Sequence, residues 1–123
     1  MTTHLLVVEA RRPPMTLNEQ RRAHWTQVRA AKQHAETLVW AAAHTARLGH
    51  LDHPVTIDIT WWAPDQRRRD VDSLAPFTKA ALDALVKHGH LDDDDHTHVT
   101  TANPHIHIDR ARPRIEIEIV EVE

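Results

Sequence analysis

The chain has 123 residues, enough for one domain with its own core. It contains no cysteine, which excludes a disulfide framework and any thiolate metal site. The net charge of -3 argues against a simple basic nucleic-acid binder, but it is unevenly spread: residues 1–50 carry seven Lys/Arg against three acids, and residues 51–123 carry eight against fifteen. Two bound divalent cations would invert the electrostatics where the acids cluster, so the acidic total is compatible with a metallonuclease. No charged-then-apolar leader and no stretch near the ~18 apolar residues of a membrane span occur, and a soluble cytoplasmic protein with no membrane partner is expected.

Leu5–Val8 reads as a short strand ended by Arg11-Arg12-Pro13-Pro14. Thr16-Leu17-Asn18-Glu19 matches a capping box. Apolar residues at Trp25, Val28, Ala31, Ala35, Leu38, Val39 and Ala42 then predict an amphipathic helix to about Arg47, with a break near Arg21–Trp25 allowed and Gly49 as the stop. Val55, Ile57, Ile59 and Trp61 alternate with polar positions and with Trp62, the pattern of a strand with one buried face, ended by Ala63-Pro64-Asp65. Trp61 is assigned to the core and Trp62 to sheet packing.

A second helix is expected from near Ser73 to His88-Gly89, with Pro76 in its first turn and Leu74, Phe77, Ala81 and Leu85 buried. Val99–Thr101 reads as a short strand. His105–Asp109 and Ile115–Ile119 alternate as strands, predicted to form a hairpin through Arg110–Pro113, with a bulge or strand end where the phase slips at Ile119/Val120. The expected fold is one α+β domain spanning residues 1–123, a mostly antiparallel or mixed sheet with two main helices on one face.

The chemistry concentrates in Arg67-Arg68-Arg69-Asp70-Val71-Asp72 and Leu91-Asp92-Asp93-Asp94-Asp95. In extended backbone, Asp70 and Asp72 point the same way. Like charges so placed repel unless a cation lies between them, and a hard divalent ion such as Mg²⁺, which takes carboxylate and phosphate oxygens, is the usual answer. Helix capping would account for one of the two acids but not for the pair. Arg67, Arg68 and Arg69 beside such a site would clamp phosphate bidentately; alone they would be a solvated charge run. Asp92–Asp95, taken alone, reads as a solvated loop, and Lys79, Asp83 and Lys87 as an i,i+4 ion-pair ladder. His96, His98, His105 and His107 include two i,i+2 pairs able to bind Zn²⁺ or Ni²⁺, although histidines are scattered along the whole chain.

Arg67–Leu74, the Lys79–Leu85 segment, Gly89 and Leu91–Asp94 together resemble the RusA family of Holliday junction resolvases over roughly residues 65–99, with weaker support from Pro13-Pro14, Asn18 and the closing Ile-Glu alternation. The family pattern is an Arg-rich run, Asp-x-Asp-Asn-Leu, a helix carrying Lys, a Gly and an Asp-Asp pair; Ser73 stands where that pattern has Asn. The resemblance implies a homodimeric, Mg²⁺-dependent endodeoxyribonuclease, with Mn²⁺ as a substitute, that binds four-way DNA junctions and nicks two strands symmetrically in recombination and repair. It implies metal ligation by Asp70, Asp72 and Asp94, with Asp93 the neighbouring candidate, a catalytic and DNA-contacting Lys79, and a phage or prophage origin. The long first helix and the N-terminal strand are the candidate dimer surfaces. Two further readings stay open: a nuclease of broader branched-DNA specificity, and a non-catalytic His-rich metal- or nucleic-acid-binding protein.

Overall fold

Alternation of apolar and polar residues sets the sheet. In the computed structural model, which describes residues 2–123, the strands are β1 (Thr2–Val8), β2 (Val55–Ala63), β3 (Val99–Ile108) and β4 (Arg114–Glu121). The helices are α1 (Leu17–Arg22), α2 (Trp25–Thr45) and α3 (Ala75–Lys87), with a 3₁₀ turn at Val71–Leu74 leading into α3. The sheet is mixed, in the order β1-β4-β2-β3. Leu6, Val8, Ile57, Ile59, Ile115, Ile117 and Ile119 from its three antiparallel strands are fully buried, facing Val39 and Ala43 of α2 and Phe77, Ala81 and Leu85 of α3. No polar or charged residue is buried among those described. The α+β expectation holds.

The predicted hairpin does not form. β4 lies between β1 and β2, antiparallel to both, while β3 pairs with β2 in parallel and forms the opposite edge. The reason is burial: Ile115, Ile117 and Ile119 are fully buried and need covered neighbours on both sides, whereas Ile108 stays 42% exposed. The connection Asp109–Pro113 therefore steps across the end of β2, where the Asp109 N–H donates to the Ala63 carbonyl at 2.9 Å. Two strand spacings are only about 10 Å, within reach of five residues.

The expected break at Ile119/Val120 is also absent, since β4 stays paired through Glu121. The irregularity falls instead at Val55/Thr56, against β3. Val99–Thr101 and His105–Ile108 prove to be one strand running through Pro104. An edge strand tolerates the missing N–H.

The first helix is broken where the sequence allowed it. Thr16 and Glu19 form the capping box of α1, and His24 then caps α2, its ring accepting from the Thr26 N–H. The stop is not Gly49. Arg47 takes the left-handed conformation at φ 56°, and the Leu48 N–H closes onto the Ala43 carbonyl at 3.0 Å. At the end of α3, Gly89 at φ 80° fills the same role without a Cβ penalty.

The connections after these two helices are tied together. Leu51 N–H donates to the His90 carbonyl at 2.8 Å, and the His50 ring lies between Asp52 (2.9 Å) and Asp92 (3.0 Å). Both ring nitrogens can donate only as imidazolium. The bond to Asp92, then that to Asp52, accordingly raises the His50 pKa.

Two outcomes follow. Arg47→Gly should raise stability by about 1 kcal/mol, measured by denaturant unfolding, because glycine occupies the left-handed region without strain. A histidine whose pKa is higher folded than unfolded contributes fully below its unfolded value of about 6.5 and loses that contribution as pH rises through the folded value. His50→Ala should therefore lower the melting temperature most at about pH 5.5, with the gap to wild type narrowing toward about pH 8.5.

Candidate active site

β2, the 3₁₀ turn, α3 and β3 form a parallel strand–helix–strand crossover, and the basic-acidic run occupies its first connection. Ligands in open sheets gather beyond such carboxyl strand ends. Asp65 organises this loop. Its Oδ1 accepts from the Arg67 backbone N–H at 3.0 Å and from Arg69 Nη2 at 2.8 Å, which hold its pKa below the ordinary value. Arg69 Nη1 also donates to the Asp65 and Arg67 carbonyls, at 2.8 and 3.1 Å, and the guanidinium lies 4.8 Å from the centre of the Trp61 ring. Arg69, only 14% exposed, is thus used inward, whereas the Arg67 side chain is 82% exposed.

Trp61 is core, as expected, but its Nε1–H also donates to the Arg11 carbonyl at 3.1 Å. One ring therefore fixes two segments that are far apart in sequence. Beyond them opens a groove of about 670 Å³, lined by Arg11, Arg12, Arg21, Arg67, Arg68 and Arg69 together with Asp70, Asp72 and Ser73. Arg11, Arg12 and Arg21 were not singled out from sequence. Only their position after the first strand and on α1 places them here, and nothing in their spacing signals it.

Asp70 and Asp72 are both exposed in this groove. Asp70 precedes the 3₁₀ turn in extended backbone, and its carboxylate caps nothing; the Ser73 N–H instead donates to its backbone carbonyl at 3.0 Å. α3 likewise has no side-chain cap. The capping explanation for the pair therefore fails. The Ser73 hydroxyl is buried without a hydrogen-bond partner among the described residues.

The acidic run divides its labour. Asp92 bonds His50, and Asp93 accepts from the Asp94 N–H at 2.7 Å. Asp95 accepts from the Thr97 hydroxyl at 2.6 Å and pairs with the His98 ring at 2.7 Å, contacts that lower its pKa. Asp94 alone turns to Lys79, with Nζ 2.8 Å from its Oδ2. Lys79 also pairs with Asp83 at 3.0 Å, and these bonds, Asp94 first, raise its pKa. Burial pushes Asp83 up, but its bonds to Lys32 and Lys79 outweigh that and hold it low. The predicted ladder is half present: Asp83 pairs with Lys79, while Lys87 reaches Glu36 on α2 at 3.7 Å.

No three His, Asp or Glu side chains stand at metal-binding spacing among the described residues. Asp70, Asp72 and Asp94 are thus not assembled into one cluster, and neither are the four late histidines. His105 pairs with Asp58 at 2.8 Å and His98 with Asp95, while the rings of His105 and His107 stack 6.5 Å apart on the sheet face away from the helices. Trp62 lies on the same face, under Arg114 at 4.9 Å and donating to Glu116 at 2.9 Å. Among the described residues no helix is long and apolar enough to cross a membrane.

No individually curated protein matches the chain. A family model described as endodeoxyribonuclease RusA matches residues 7–120, nearly the whole length and every element of the crossover and groove. The chain belongs to the RusA endodeoxyribonuclease family.

Proposed function

We propose that this protein is a divalent-metal-dependent endonuclease that resolves four-way DNA junctions by paired, symmetric nicks. The observation that carries the reading is the Asp70–Asp72 pair, exposed and uncapped in an arginine-lined groove. On the wall beside these acids Arg68 forms no ion pair among the described residues and Arg67 makes only a 3.9 Å contact with Asp65, so both are available to phosphate, whereas Arg69 is turned inward onto Asp65.

By chemistry the acids suit Mg²⁺ or Mn²⁺, being carboxylate oxygen only with no sulfur available, although no three of them stand at metal-binding spacing among the described residues. Asp70 and Asp72 would hold the ion, with Asp94 as the third ligand. Both neighbours are engaged, Asp93 with the Asp94 N–H and Asp94 with Lys79, so either would exchange a partner for the ion, and Asp94 is named because it is the one the family pattern indicates. Bound there, the cation supplies charge neutralisation at the scissile phosphate and a more acidic attacking water.

The chain's own residues do the rest. Arg67 and Arg68 hold the strand backbone beside the acids. Lys79, its pKa raised by two carboxylates, stays protonated near neutral pH. It therefore acts as a cation toward a phosphate or water oxygen and not as a general base. Its contact with Asp94 also fixes the acidic loop against α3.

Paired nicks in opposed strands require two such sites related by a two-fold axis, which a symmetric homodimer provides. The sheet face opposite the helices, where Leu5 is 48% exposed, is the broad uncovered surface for it. Sedimentation should give a dimer at micromolar concentration; a monomer would remove the symmetric-nicking part of the reading.

The direct test is cleavage of a labelled four-way junction and a matched linear duplex, with Mg²⁺ or EDTA. Mg²⁺-dependent paired nicks in the junction alone are expected. Asp70→Asn should lose roughly 1,000-fold in rate, the scale of several kcal/mol of charge stabilisation, while junction affinity in EDTA changes by less than about threefold. Wild-type cleavage by the variant would refute the ligand assignment. Equal cleavage of the duplex would refute junction selectivity.

A further inference from the structure

The arginine groove has two walls, and the reading above uses only one. Arg67 and Arg68 come from the β2–α3 connection, beside Asp70 and Asp72. The other wall comes from the opposite part of the chain, the β1–α1 connection and α1, and carries Arg11, Arg12 and Arg21.

These three arginines are not equivalent. Arg12 is committed: it pairs with Glu19, and its Nε donates to the Pro13 carbonyl at 3.1 Å. Arg11 forms no side-chain ion pair among the described residues. Arg21 makes only a long contact, 3.5 Å, to the amide oxygen of Asn18 on its own helix. Two guanidinium groups therefore line the shared groove without an ion pair among the described residues.

The wall is also pre-set. The Arg11 backbone is pinned to β2 by the Trp61 indole, and α1 is started by the Thr16–Glu19 capping box. The same Trp61 ring packs under Arg69, which fixes the loop bearing Arg67 and Arg68. Trp61 thus touches both walls, and α1 also packs on the 3₁₀ turn and on α3, so their spacing is fixed by packing rather than by flexible loops. Cations gathered about a carboxylate pair suit a polyanion that spans the groove, since each phosphate meets a fixed positive partner while the scissile one remains near the acids.

We propose that Arg11 and Arg21 form a second phosphate-binding wall, which grips the DNA backbone from the α1 side of the groove while Arg67 and Arg68 grip it from the β2 side. This rests on the endonuclease reading of the groove, and deepens it by making the N-terminal third of the chain part of the DNA site.

The test is the salt dependence of binding, which reads phosphate contacts directly and needs no metal or turnover. Affinity for a labelled four-way junction is measured in EDTA over a salt series. The proteins are wild type, Arg11→Gln/Arg21→Gln, and a control, Arg47→Gln/Lys87→Gln, which removes the same charge at the C-terminal ends of α2 and α3. The groove variant should bind about tenfold or more weaker at low salt, and its slope of log affinity against log salt should be shallower by about two, near 0.9 per lost contact. The control should keep the wild-type slope. Each single groove variant should lose about one unit of slope, which provides the measurement should the double variant unfold. A wild-type slope in the groove variants, with wild type binding normally, would overturn the second wall and leave the endonuclease reading intact. An equal loss in the control would also overturn it, reducing the effect to net charge. Failure of wild type to bind any DNA would overturn the endonuclease reading and the wall with it.

Discussion

The site depends on the two contacts of the Trp61 indole. Its edge donates to the Arg11 carbonyl at 3.1 Å, and its face lies 4.8 Å from the Arg69 guanidinium. The ring itself is 95% buried at the end of β2, so its position is set by the core and not by the loops it touches. A buried indole N–H requires an acceptor. Here that requirement brings the chain that follows β1 to the chain that follows β2. Together with the packing of α1 on the 3₁₀ turn and α3, it ties the two walls of the groove to each other.

From that anchor the charges sort themselves. Asp65, Asp92 and Asp95 are satisfied by a neighbouring cation, imidazole or backbone N–H and order their loops, while Asp83 ties α3 to α2 through Lys32. Asp70 and Asp72 sit in the groove without a capping role. Neither carboxylate is paired with a cation of the protein among the described residues, and both are exposed rather than packed. Such uncompensated charge in a concave, arginine-rich surface is the basis of the metal and polyanion site proposed above. Lys79 holds the second acidic region to α3 through Asp94 and Asp83. The His50 tie to Asp92 holds the other end of the same loop.

Much of this was legible in the residues. The Thr16–Glu19 capping box, the break before Trp25, β2 and α3 all follow local rules that act within a few residues, and all occur as the sequence indicates. What was not legible depends on partners distant along the chain. Arg110–Pro113 looks like a hairpin turn, yet the demand of Ile115, Ile117 and Ile119 for burial on both flanks moves β4 to the sheet interior and leaves β3 at an edge. The end of α2 near Arg47 was anticipated, but its left-handed terminator was assigned to Gly49, two residues too late, because glycine is the usual residue there. Asp70, Asp72 and the basic run were visible as a contiguous motif. Arg11 and Arg21 were not, since their membership in the groove is decided by the Trp61 hydrogen bond and by sheet order.

The central claim is that the uncapped Asp70–Asp72 pair holds the reactive cation. Electron paramagnetic resonance of Mn²⁺ with wild type and with Asp70→Asn/Asp72→Asn, each on a junction with a non-hydrolysable linkage at the cleavage point, tests it most directly. Bound Mn²⁺ in wild type that Mg²⁺ displaces, and its loss in the double variant with DNA still bound, is the predicted result. Equal Mn²⁺ binding by the double variant would contradict it and place the metal elsewhere.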